Sequence, residues 1–168
     1  MDITPFLELK PAPRAIFDSL AERKTRARWM LPTADGDWQA VTWAAYAKGI
    51  RQAALFLASA GLRSGDRAAV FAPNSVEWIS AAMAIEAVGG VMVPVYPANT
   101  APQAAYVVNH SDTKVLFVDT APLLQRVFEA WGEYSHVTHI VTLSAQPLEA
   151  GPIIEKMRSK GLPVPPVA

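Results

Sequence analysis

The sequence contains no cysteine, so it has neither a disulfide framework nor a thiolate metal site, which fits a reducing compartment such as the cytoplasm. It also lacks an excess of either charge, with 15 basic side chains against 15 acidic ones in 168 residues. Nucleic acids and anionic membranes are held by a positive field summed over one face, and a balanced chain argues against both as partners. Long apolar runs are missing too. The longest, Ala81 to Tyr96, is interrupted by Glu86, Gly89, Gly90 and Pro94, whereas a bilayer-spanning helix needs roughly 20 apolar residues. The opening Met1 to Arg14 carries Asp2, Glu8, Lys10 and three prolines, which excludes the apolar segment of a secretory signal.

Phosphate-binding motifs are absent as well. The nine glycines are scattered, and none falls into a dinucleotide fingerprint or a Walker loop. Gly89-Gly90 comes nearest, but a phosphate cradle needs glycines after a strand and before a helix, where free amides converge. Here the order is reversed, and the pair reads as a tight connection. Of the three histidines, His110, His136 and His139, the last two are spaced so that a strand would put their rings on opposite faces, which argues against a metal site. Asp66, Asp112 and Asp119 have no acidic neighbour in sequence of the kind that holds magnesium in receiver-type domains. No serine or threonine is spaced with a histidine or lysine as an activated nucleophile. The sequence therefore assigns no catalytic, cofactor-binding or metal residue.

What is present is a chain that is 51% hydrophobic, enough for one globular domain. An extended arm is expected over 1–13, an α/β body over 14–160, and a proline-rich end over 161–168. A first helix is predicted from about Arg14 to Ala27, with Ile16, Phe17, Leu20 and Ala21 inward. Arg23, Lys24, Arg26 and Arg28 crowd its end, where cations complement the helix dipole. Asp35-Gly36, between β-prone runs Arg28 to Leu31 and Trp38 to Thr42, signals a hairpin.

Thr42 then caps a helix with apolar residues at helical spacing from Trp43 to Ala58, stopped by Gly61. Strands are predicted at Arg67 to Phe71, Val91 to Val95, Lys114 to Val118 and Val137 to Leu143. Between them lie helices starting after Ser75, Thr100 and Thr120, and a last one over Pro152 to Lys160. The helix Val76 to Val88 is apolar nearly all round and should be covered on most sides. Strands alternating with helices imply the α/β class, with a largely parallel sheet flanked by helices.

In open sheets of this kind, ligands bind beyond the carboxyl ends of the strands. Two loops there are candidates, Ala72-Pro73-Asn74-Ser75 and Tyr96-Pro97-Ala98-Asn99-Thr100, although turn and capping chemistry alone would call for the same residue types.

The chain resembles the AMP-forming acyl-CoA synthetases. The resemblance runs in order through Trp38 to Tyr46, Gly61 to Arg67, Ala72 to Trp78, Ala87 to Pro97, Tyr106 to Ser111 and Lys114 to Asp119. Val95 to Thr100, Val-Tyr-Pro-Ala-Asn-Thr, is most similar to the long-chain fatty-acid branch. The resemblance implies part of the large amino-terminal domain of an enzyme that uses ATP and Mg2+ to convert a fatty acid to acyl-AMP, then passes the acyl group to coenzyme A. None of that family's phosphate-loop lysine, tyrosine-to-glutamate motif, ribose-binding aspartate or mobile-domain lysine has a counterpart here. The chain is thus expected to be an amino-terminal fragment that is inactive and binds no cofactor alone. Peripheral membrane contact and a homodimer through the arm 1–13 are compatible with the resemblance. Two other readings remain open: adenylation of an aryl, medium-chain or fatty acid left as adenylate, and a free-standing non-catalytic α/β binding or assembly module.

Overall fold

The computed structural model describes residues 10–143, 150–159 and 161. Most of the expected arm and of the proline-rich end lie outside them. Where one helix from Arg14 to Ala27 was expected there are two short ones, α1 (Ala12–Asp18) and α2 (Leu20–Arg23). The break is at Ser19, whose hydroxyl donates to the Ile16 carbonyl at 2.8 Å. A side chain that bonds the preceding turn competes with helix propagation. Ala21, expected inward, is exposed, and Ala27 opens a strand.

The hairpin is β1 (Ala27–Pro32) and β2 (Trp38–Thr42), antiparallel, with Trp29 opposite Val41, Met30 opposite Ala40 and Pro32 opposite Trp38. Gly36 takes the left-handed conformation its turn needs, φ +87°. The hairpin leads into α3 (Trp43–Ser59), where Thr42 Oγ1 accepts from the Ala45 amide at 3.2 Å.

Four parallel strands, β3 (Arg67–Phe71), β4 (Val91–Val95), β5 (Thr113–Val118) and β6 (His139–Thr142), form one sheet in the order β4-β3-β5-β6. Their side chains alternate between two cores. Ala68, Val70, Val115 and Phe117 face α3 and α4 (Val76–Ala87), meeting Tyr46, Ile50, Leu57, Ala84 and Ile85. Ala69, Phe71, Leu116, Val118 and Ile140 face α5 (Ala101–His110), α6 (Ala121–Glu129) and α7 (Ala150–Ser159). As its composition requires, α4 buries residues on several sides, Ser80, Ala81, Ala82, Ala84 and Ile85 among them.

The Gly89-Gly90 pair is a connection. Gly89 has φ +77°, its carbonyl accepts from the Gly65 amide at 2.9 Å, and a Cβ there would lie 2.9 Å from Ser64 Oγ.

Charged groups tie the amino end of the sheet together. Lys114 Nζ donates to Asp66 Oδ1 at 2.8 Å, and the Arg63 amide donates to Asp66 Oδ2 at 2.8 Å. Arg67 donates to the Ser111 carbonyl at 2.6 Å and to Asp112 Oδ2 at 2.8 Å. Asp112 sits at φ +49° in the turn after α5, a conformation that aspartate tolerates.

The hydrogen bond from Lys114 holds the Asp66 carboxyl below its usual range, with the Arg63 amide acting in the same direction. A depressed carboxylate stabilises the fold above its unfolded pKa of about 3.9, and that contribution is lost as pH falls through the lower folded value. Asp66→Asn is therefore expected to lower the urea midpoint at pH 7 and to narrow the gap to wild type as pH drops below about 4. A constant difference down to pH 2 would show that the carboxylate's charge is immaterial. Among the described residues, no helix is long and apolar enough to cross a membrane.

Candidate functional site

The strand order places β3 in the middle, with α4 leading from it to β4 on one side and α5 leading back past it to β5 on the other. The direction of winding therefore reverses at the carboxyl ends of β3 and β5, where open α/β sheets form ligand crevices. Both loops proposed from sequence follow β3 and β4 at the carboxyl end of the sheet, beside that switch point, and line one cleft of about 570 Å³, with Ala72, Asn74 and Trp78 on one wall and Val95, Tyr96 and Pro97 on the other.

Some residues of these loops serve the turns and others the cleft. Ser75 Oγ accepts from the Trp78 amide at 3.0 Å and starts α4. The Asn99 amide donates to the Tyr96 carbonyl at 2.9 Å, and Thr100 and Gln103 form a capping box at the start of α5. Asn74, Trp78 and Tyr96 remain for the cleft, and Tyr96 is 72% exposed. The lining can pack apolar matter and includes three side chains that can hydrogen-bond, the Asn74 amide, the Tyr96 phenol and the Trp78 indole. Among the described residues it contains no cation that could stabilise a phosphate.

Sequence reasoning did not foresee Arg126. From α6 its Nη1 donates to the Pro97 carbonyl at 2.7 Å and to the Asn99 carbonyl at 3.0 Å, fixing the loop that carries Tyr96. Nothing local in the sequence marks a contact across so many residues.

Asp119 differs from expectation. It follows β5 directly, and burial raises its pKa with a further contribution from the Glu77 carboxylate of α4. The histidines stay apart: His110 stacks on Tyr106, His136 lies 3.4 Å from Asp112 Oδ1, and His139 meets Thr138 and the edge of Phe56. Among the described residues no cluster of three or more His, Asp or Glu could hold a metal, so these residues do not fit Mg2+ and no chemical step is assigned to it.

The basic run after α1 serves aromatic packing. The Arg28 guanidinium lies 4.2 Å from the Trp29 ring centre and 4.9 Å from that of Trp43, with Arg23 5.6 Å from the latter. Arg23 stands in the last turn of α2, as expected of a cation at a helix end, whereas Arg28 lies in β1 and serves this stacking.

Comparison with known proteins adds a family. The profile described as AMP-binding enzyme matches residues 17–167. The long-chain-fatty-acid–CoA ligase FadD15 of Mycobacterium tuberculosis is 35% identical over 133 residues, covering 79% of this chain and 22% of the relative. The long-chain-fatty-acid–CoA ligase ACSBG2 of Rattus norvegicus is 32% identical over 90 residues, covering 54% of this chain and 14% of the relative. Among solved structures, the anthranilate CoA ligase AuaEII in complex with anthranoyl-AMP superposes with TM-score 0.73 at 20% identity, over 84% of this chain and 26% of that one. A putative long-chain-fatty-acid CoA ligase from Rhodopseudomonas palustris gives 0.71 at 20% identity, over 84% and 34%. The likeness to these structures is one of fold. The chain spans about a fifth of the length of the FadD15 relative.

Proposed function

Because this chain belongs to the AMP-binding enzyme family, we propose that it forms the opening part of the large domain of a ligase that joins long-chain fatty acids to coenzyme A in the cytoplasm. The observation that carries the reading is the 35% identity to FadD15, which extends over 133 residues, 79% of the chain.

In the proposed reaction a carboxylate oxygen attacks the α-phosphorus of ATP, breaking its bond to the β-phosphate and releasing pyrophosphate, so that an oxygen that leaves poorly becomes part of an acyl-adenylate whose AMP leaves well. The adenylate then yields its acyl group to the thiol of coenzyme A. Stabilising the charge that develops on phosphorus calls for cations and convergent amides. Among the described residues the cleft lining holds no cation. Its proposed share is the scaffold and one wall against which apolar matter packs, and ATP, Mg2+ and coenzyme A would be held by segments beyond it.

The test is isothermal calorimetry with ATP and Mg2+, together with pyrophosphate exchange in the presence of palmitate, on the 168-residue chain beside full-length FadD15. Heat and exchange are expected from FadD15 alone. Adenylate formation by the short chain would contradict the reading. The fold likeness to an anthranilate ligase keeps an aryl acid as the second reading, which a panel of acids on a protein carrying this segment would decide. An assembly module that never takes part in catalysis would leave every acid inactive.

A further inference from the structure

The tip of the hairpin holds two groups that can react with each other. Asp35 is followed by Gly36, so the Asp35 carboxyl carbon Cγ and the Gly36 nitrogen are the ends of an unclosed five-membered ring. Both residues are exposed, and nothing lies within 4 Å of where a Cβ on Gly36 would stand, so no side chain shields the nitrogen. The turn itself holds the two groups apart. The Gly36 amide donates to the Thr33 carbonyl at 3.1 Å. Neither Ala34 nor Asp35, the central residues of that turn, has positive φ, which leaves type I, with ψ of about 0° at Asp35. Ring closure needs Asp35 Cβ and the Gly36 nitrogen nearly eclipsed about the Cα–C bond, whereas this ψ sets them about 120° apart. Thr33 adds a second restraint, because its hydroxyl donates to Asp35 Oδ1. That bond holds the Asp35 carboxyl below its usual range, in the ionised form whose oxygen cannot leave as water.

We propose that Asp35-Gly36 is a covalent modification site, at which aspartate converts to isoaspartate when the turn opens, and that Thr33 is the residue restraining it. With the turn open and the carboxyl protonated, the Gly36 nitrogen attacks Asp35 Cγ. A Cγ–N bond forms, the Cγ–OH bond breaks, and the hydroxyl leaves as water with the amide proton. The product is a succinimide. Water then adds to one of its two carbonyl carbons and breaks that carbon's bond to nitrogen. Opening at Cγ restores aspartate, whereas opening at the backbone carbonyl carbon leaves the chain running through Cβ and Cγ with the former backbone carbonyl as a free carboxylate. Isoaspartate lengthens the turn by one main-chain atom, and turn geometry fixes the register that pairs Pro32 with Trp38 and Trp29 with Val41. Trp29 and Val41 pack on the core, so the change is felt beneath the hairpin. The partner that fits is a methyltransferase that esterifies isoaspartyl carboxylates with S-adenosylmethionine. None of this depends on the ligase reading.

The experiment keeps the 168-residue chain for several weeks at pH 7 and 37 °C in water enriched in oxygen-18. The tryptic peptide 29–48 is then read by electron-transfer mass spectrometry, which locates isoaspartate and counts the oxygen gained at each passage through the ring. Methyl transfer from S-adenosylmethionine by isoaspartyl methyltransferase measures the total. Isoaspartate should accumulate at position 35, more slowly in the folded chain than in guanidinium chloride. Thr33→Val keeps the β-branched shape without the hydroxyl and should speed conversion roughly fivefold, the contribution of one hydrogen bond. Thr33→Ser keeps the hydroxyl and should stay near wild type. In guanidinium chloride all three chains should react alike, because the restraint exists only in the folded turn. The valine variant should still react more slowly folded than unfolded, which separates a loosened turn from a lost fold. The proposal is overturned by a folded chain that gains no isoaspartate at position 35 while the unfolded chain gains it. It is equally overturned by a valine variant no faster than wild type or as fast folded as unfolded, or by a serine variant as fast as valine.

Discussion

Replacing Phe71 by alanine is expected to destabilise the fold by about 3–5 kcal/mol, the usual effect of deleting a buried phenylalanine ring. Phe71 ends the central strand, is fully buried and packs with Leu116, Val118 and Val108 between the sheet and α5. Strands on both sides restrain β3, so the surroundings cannot collapse readily into the void. A domain of this size has roughly 5–15 kcal/mol in total, so the variant should be unfolded in part at 37 °C. Urea titration followed by circular dichroism gives the difference directly, and Phe71→Leu should lose only about 1.5 kcal/mol or less. An alanine variant within about 1 kcal/mol of wild type would mean that this face of the sheet is not packed as described.

The second large effect is expected at Arg126. Arg126→Met keeps most of the aliphatic stem and removes the donor shared by the Pro97 and Asn99 carbonyls. A hydrogen bond to a charged donor contributes about 1.5–3 kcal/mol, and two bonds from one guanidinium add less than twice that. A loss of about 2 kcal/mol is expected. Its signature should be local, with faster amide hydrogen exchange from Tyr96 to Thr100 and little change in the buried amides of β5. Both bonds leave the single nitrogen Nη1, so Arg126→Lys, whose ammonium carries three donors, should retain more of the protection than methionine. Uniform acceleration across the sheet would show that Arg126 acts on global stability and not on the cleft wall.

Local signals carried much of the architecture. The caps at Thr42, Ser75 and Thr100, the Asp-Gly turn and the short apolar runs are interactions between residues close in the chain, and each element they mark formed near its predicted place. The first helix failed because Ser19 spends its hydroxyl on the backbone, a choice that helical spacing does not register. Thr120 precedes α6 without a side-chain cap bond, so a capping residue type marked the boundary without making the bond.

The cleft was legible only in halves. Each loop could be named from its turn residues, but their convergence depends on β4 lying beside β3, which strand order decides and spacing does not. The same is true of Asp119 and Glu77, and of the bonds from Arg126. Tyr134 gives no sequence signal at all. Burial raises its pKa, and its hydroxyl has no hydrogen-bond partner among the described residues.

Because β3 lies between β4 and β5, the earliest strand of the sheet made on the ribosome is one of its two inner strands. One flank waits for Val91–Val95 and the other for Thr113–Val118. Until then both backbone edges of a strand whose last four residues are apolar are open to any stray strand. Translation that pauses short of Val118 should therefore send more of this protein to chaperones or aggregates than a pause after it.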